Sequence, residues 1–193
     1  MKSKTKLILQ KSDQMFHTYF SDQIKRVGGK CVYRSLCSFF SAKEFGLTYK
    51  LRAGSCFWKY DMNSGTEWGY QFYQKEALFA MLNNRLPEMH VWVINEKDQV
   101  VDMSCRDFPE LLNKTLGHTW DTKLKPPKTY IGRPVGYKGK SRICEYVHDP
   151  VAIDMLFNYM KPLKYISIDK DGDITKGDYF THFRCDTPSK LIK

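Results

Sequence analysis

No apolar run in this 193-residue chain approaches the roughly 18 residues needed to cross a bilayer as a helix. No membrane association is expected. The N-terminal stretch Met1–Gln10 has a basic head but only Leu7, Ile8 and Leu9 as an apolar run, which is too short for a secretory signal. The expectation is a cytoplasmic protein. Cys-x-x-Cys and His-x-x-x-His are both absent, which leaves a structural zinc site without its usual framework. No metal and no cofactor are expected. The six cysteines (Cys31, Cys37, Cys56, Cys105, Cys144 and Cys185) form no close pairs, and without a secretory signal they read as free thiols. There is no internal repeat, no low-complexity segment and no dense basic run.

Hydrophobic residues make up 42% of the chain and aromatics 15%, a composition that folds rather than stays disordered. The length suits one domain over residues 1–193 with a sizeable core. The formal charge is +10, but the lysines are scattered. A soluble basic surface explains this, and the same surface is compatible with contact to a nucleic acid or an acidic protein.

Residues 11–27 carry Met15, Phe16, Tyr19, Phe20, Ile24 and Val27 at intervals of three and four, which predicts an amphipathic helix closed by Gly28-Gly29. Cys31 to Phe45 predicts a second helix. Val32, Leu36, Phe39 and Phe40 form its apolar face, Tyr33, Cys37 and Phe45 widen it, and Gly46 ends it. A helix apolar on most sides is a buried one. Leu47 to Phe57 reads as a strand, and residues 58–72 as an aromatic loop with Trp58, Tyr60, Trp68, Tyr70, Phe72 and Tyr73 in or beside it. Such a loop acts either as a substrate lid or as packing over the next helix. That helix, Gln74 to Asn84, should turn Ala77, Leu78, Met81 and Leu82 inward. Met89–Ile94 and Gln99–Met103 are Val-rich strands about the polar turn Asn95–Asp98.

Three residue types in this order carry a chemistry. Cys31 falls in the first turn of its helix, where unpaired backbone N–H groups and the positive dipole end favour an anion. The preceding glycines allow a tight turn and leave room for a substrate carbonyl. Alternation puts His90, Trp92 and Ile94 on one strand face and Val91 and Val93 on the other. Pairing about the turn then brings His90 close to Asp102 and Ser104. A histidine facing an acid across a hairpin, downstream of a cysteine at a helix start, has the makings of a nucleophile, base and orienter. Cys31 fits the first role better than Cys37, which lies mid-helix and faces the core. The oxyanion would be held by the Cys31 N–H and one more donor, with Gln10, Gln14 and Gln23 upstream as candidates.

Beyond this, Phe108–Leu116 and Pro150–Met160 predict helices. Residues 117–142 are rich in Gly, Pro and Lys and read as a long connection or extended edge structure. The catalytic core thus spans about 11–116, followed by a C-terminal α/β extension over about 117–193. Tyr165–Ile168 reads as a strand. In Asp169–Asp173 the glycine falls fourth and the twelfth position is Phe180, so a hairpin turn fits better than a calcium loop.

Gly29-Lys30-Cys31, Gly46, Ala53-Gly54, His90-Val91-Trp92 and Asp102-Met103-Ser104 together resemble the transglutaminase-like superfamily of papain-type folds, over residues 28–104. The resemblance implies an α+β papain/transglutaminase-like core, with the nucleophile helix packed on an antiparallel sheet that carries base and acid. It implies acyl transfer on a peptide, amide or ester through Cys31, His90 and Asp102, as a thiol protease, amidase or transglutaminase. Gly28-Gly29-Lys30-Cys31 is also similar to arylamine N-acetyltransferases, although Tyr33 and Ser35 depart from that family's pattern. The alternative is a non-catalytic basic binding protein on the same fold.

Overall fold

The computed structural model describes residues 3–20, 29–83, 85, 87–138, 141–160, 167–168 and 174–176. They form an α+β fold with five α-helices and, as its main sheet, a seven-stranded antiparallel one. Two helices open the chain, α1 (Lys4–Tyr19) and α2 (Lys30–Glu44). The first begins seven residues before the apolar periodicity does, because Ser3 caps it through its side chain. The expected continuation of this helix to residue 27 falls largely outside the described residues.

Helix α2 is the buried helix its composition requires, with eleven of its 15 residues buried. One side packs on α1, where Ser12 and Ser38 share a hydrogen bond of 3.0 Å. The opposite side packs on the sheet, where the Ser35 hydroxyl donates to the Val91 carbonyl at 2.9 Å. Those hydroxyls satisfy polar groups that burial would otherwise strand.

The strands are β1 (Lys50–Lys59), β2 (Glu67–Tyr70), β3 (His90–Ile94), β4 (Val100–Asp102), β5 (Tyr130–Gly132), β6 (Val135–Lys138) and β7 (Ser141–His148). Their order is β5-β4-β3-β1-β7-β6, with β2 also paired to β1. Strand β1 runs beyond the expected Phe57 and turns back into β2, so much of the expected aromatic loop is a hairpin. Trp58, Tyr60 and Phe72 are buried and serve as packing.

The boundary expected near residue 117 does not divide the sheet. Strands β5 and β7, both beyond it, pair with β4 and β1 respectively. The connection 117–142 thus supplies the edge strands β5 and β6, and β7 at its end lies between β6 and β1. The sheet curls on itself, so that Tyr130 on the edge strand β5 stacks on Tyr146 of β7, across β4, β3 and β1, with ring centroids 5.6 Å apart. Its convex face holds Leu51, Ala53, Val91, Val93 and Val101 against α1 and α2. Its inner face holds Cys56, Trp58, Trp92, Phe108 and Tyr146.

Helix α3 (Gln74–Leu82) forms as expected but turns differently. Ala77 is buried, whereas Leu78 and Leu82 are exposed. The helix docks by its small residue at the rim of the core, so its larger side chains point away. Helices α4 (Phe108–Leu116) and α5 (Pro150–Met160) match their expected spans. Ser167–Ile168 and Ile174–Lys176 pair antiparallel, as a hairpin requires. The acidic run 169–173 and the tail 188–193 lie outside the described residues. No helix among the described residues is long and apolar enough to cross a membrane.

Gly54 is a tight point of the sheet. It pairs with His90 on one side and His148 on the other, at φ +149°. A Cβ there would sit 2.1 Å from the Val147 carbonyl oxygen. Gly54→Ala is expected to lower stability by about 1–3 kcal/mol, the range for overpacking. Urea denaturation checks this, and an unchanged midpoint would show that β1 and β7 can separate at no cost.

Candidate active site

His90 is the first residue of β3, at the end of the sheet over which the N-terminus of α2 lies. Gly29 caps that helix in the left-handed conformation (φ 87°), which glycine adopts without steric penalty. Cys31 is therefore in the first turn, as its position in the sequence predicts. It is buried but keeps 6% exposure. Cys37 is fully buried mid-helix. All five described cysteines are free thiols.

His90 and Asp102 meet as the hairpin register requires. Strands β3 and β4 pair Val93 with Val101 and Ile94 with Val100, and the Asn95 side chain closes the turn by accepting from the Lys97 and Gln99 amides, each at 3.0 Å. His90 Nε2 lies 2.8 Å from Asp102 Oδ2. Both side chains are buried.

The carboxylate is saturated with donors. Oδ1 accepts from the Ser104 amide at 2.8 Å and the Ser104 hydroxyl at 2.5 Å. Oδ2 accepts from His90 and from the Tyr146 hydroxyl, the latter at 2.7 Å. A carboxylate offers about four lone-pair sites, and four donors occupy them here. Burial pushes the Asp102 pKa up, but His90, Ser104 and Tyr146 outweigh it and hold the carboxyl below its ordinary value. An ionised acceptor assigns the proton of the bond to Nε2 of His90, so neutral His90 carries its lone pair on Nδ1.

Burial alone would lower the His90 pKa. The charge and hydrogen bond of Asp102, followed by Cys31, reverse this and push it up to about 10. Aromatic rings close the space around the imidazole. Tyr70 stacks on one face at 5.5 Å and 13°, Trp92 lies near-parallel at 6.1 Å, and Phe108 presents an edge at 5.5 Å. Aromatic faces favour a cation, and these also exclude water. Nδ1 is buried with no closed hydrogen bond among the described residues. The Cys31 thiol adds to the upward push on the His90 pKa without closing a hydrogen bond on Nδ1.

The structure therefore brings together all three predicted residues. Of the glutamines considered for the oxyanion, Gln10 and Gln14 lie exposed on α1, and Gln23 is outside the described residues. Sequence reasoning missed Tyr146, Trp58 and Tyr70 as members of this cluster. The alternation Cys144, Tyr146, His148 at the end of β7 was the available signal for Tyr146. No group of three or more potential ligands suited to a metal occurs among the described residues.

No family model and no curated protein matches the chain. Its fold is similar to that of a structural-genomics protein of known crystal structure, at a TM-score of 0.50 and 12% identity, over 92% of this chain and 91% of that one. At that identity the likeness concerns the fold alone.

Proposed function

We propose that this protein is a cysteine-dependent acyl-transfer enzyme of the transglutaminase-like, papain-type class, acting on a peptide, amide or ester. The observation that carries this reading is a buried His90–Asp102 pair whose free ring nitrogen is left for a cysteine in the first turn of a helix. His90, whose pKa is raised to about 10, already holds the Cys31 proton on Nδ1 as an imidazolium that Asp102 stabilises, and the sulfur is left as the thiolate. The thiolate attacks the carbonyl carbon. A C–S bond forms, and the carbonyl π electrons move to oxygen, next to the amides of the α2 N-terminus. The tetrahedral species collapses, the C–N or C–O bond breaks, and the leaving group takes the proton from Nδ1. Water or an amine then attacks the thioester and gives its proton to His90. The C–S bond breaks, and the sulfur regains that proton.

Alkylation kinetics test the reading. At mildly acidic pH iodoacetamide is expected to label Cys31 ahead of the other five cysteines. Cys37, Cys56, Cys105 and Cys144 are almost fully buried, so selectivity alone would follow from burial. The deciding measurement is His90→Ala, which should slow Cys31 labelling about a hundredfold or more, the scale of a lost acid–base partner. Equal rates in the two proteins would remove the proposal. Cys31→Ala should abolish turnover while leaving the fold intact.

A further inference from the structure

The oxygen of Asp102 that holds His90 is shared with a second buried donor. Tyr146 Oη donates to Asp102 Oδ2 at 2.7 Å, and Trp58 Nε1 donates to Tyr146 Oη at 3.2 Å. An indole N–H only donates, so the phenol oxygen must accept from it. The Tyr146 proton is thereby directed onto Asp102. Trp58 and Tyr146 are both buried, so water does not compete for these bonds.

Resting on the acyl-transfer reading above, we propose that Tyr146 is a positioning residue that sets the basicity of His90 through Asp102, and that Trp58 holds Tyr146 in its donating orientation. Two hydrogen bonds to one carboxylate oxygen draw on the same negative charge. The stronger the Tyr146 bond, the less charge remains to hold the proton on His90. Tyr146 also fixes the carboxylate plane, since Ser104 anchors only the other oxygen. The group comes from β7, a strand beyond the Cys31-to-Ser104 stretch, and so ties that strand to the site.

The consequence has a sign. Removing the phenol hydroxyl leaves Oδ2 richer in charge and raises the pH at which His90 loses its proton. Making the phenol more acidic does the opposite. A role confined to packing would move neither.

The experiment uses the full chain and iodoacetate, an anionic reagent whose attack on Cys31 is assisted by the imidazolium charge. The rate is followed to high pH. In Tyr146→Phe the upper limb of the profile should move up by about one pH unit, the scale of one hydrogen bond to a charged group, and the maximum rate should fall several-fold. With 3-fluorotyrosine introduced at position 146, which preserves shape and hydrogen bonding, the limb should move down. This second variant decides the matter should Tyr146→Phe fail to fold. Wild-type protein without rapid, His90-dependent labelling of Cys31 overturns both the acyl-transfer reading and this inference. Rapid labelling with an upper limb unmoved by the fluorinated residue overturns this inference alone.

Discussion

Asp102→Asn is expected to slow Cys31 chemistry by about ten-thousand-fold, the scale known for loss of a triad acid. The loss has two causes. An asparagine can turn its N–H₂ toward His90 Nε2, which moves the ring proton to Nδ1 and leaves no lone pair for the thiol. It also removes the charge that sustains the imidazolium. In the wild type burial lowers the His90 pKa, and Asp102 with Cys31 raises it to about 10. A raised pKa means that the cation persists below about pH 10 and disappears above it. The upper limb of iodoacetate labelling should therefore lie near pH 10 in the wild type. In Asp102→Asn burial acts largely unopposed, and the limb should fall to or below the ordinary histidine value of about 6.5. Rate profiles of the two proteins measure both effects, with circular dichroism to establish that the variant is folded. An unmoved limb would mean that Asp102 does not govern the proton on His90.

The three candidate side chains were legible because each is announced by local structure. A glycine pair before an apolar helix places Cys31, and strand alternation with a four-residue turn places His90 opposite Asp102. These are short-range rules, and the hairpin separates its members by only 12 positions. The α+β class followed from the same elements. What was not legible is the long-range closure of the sheet. Strand β7 enters between β1 and β6 from 44 residues beyond Asp102, and nothing in its own composition names β1 as its partner. Its residues Glu145, Tyr146 and Val147 alternate in burial, but the Gly- and Pro-rich segment before them has the composition of a connection. The tyrosine that completes the carboxylate's hydrogen bonds is hidden with that strand.

Helix α3 shows a different limit. Its periodicity is clear, yet periodicity marks an apolar face without saying how much of it the core will cover. Only the stripe at Ala77 is covered, and Phe79 and Leu82 remain more than two-thirds exposed. Trp58 and Tyr60 illustrate the converse. A stretch rich in Gly, Asn and Ser has the composition of a loop, but its aromatics alternate along β1 and its extension, and the buried ones fill the inner face of the sheet.

The largest loss of stability is expected from Arg34→Ala. Arg34 stands one helical turn after Cys31, with its side chain 5% exposed. Its Nε donates to Asp107 Oδ2 at 3.0 Å, its Nη1 donates to Asp13 Oδ1 at 3.5 Å, and its guanidinium lies over the Phe16 ring at 3.9 Å. Arg106 also pairs with Asp13. Arg34 therefore links α1, the start of α2 and the short turn that follows Asp102. Removing Arg34 leaves the part-buried Asp107, its side chain 17% exposed, without this partner and empties the space over Phe16, at a cost of about 3 kcal/mol, the low end for a buried pair because Asp107 stays partly solvated. Arg34→Lys should recover only part of this, because an ammonium can neither fork to two carboxylates nor stack as a plane on Phe16. Chemical denaturation of the three proteins gives the comparison. A loss below about 1 kcal/mol in Arg34→Ala, the range of an exposed pair, would show that the network does not hold α2 in place. The position of Cys31 relative to His90 would then depend on the apolar contacts of α2 with the sheet, together with the hydrogen bond from Ser35 to Val91.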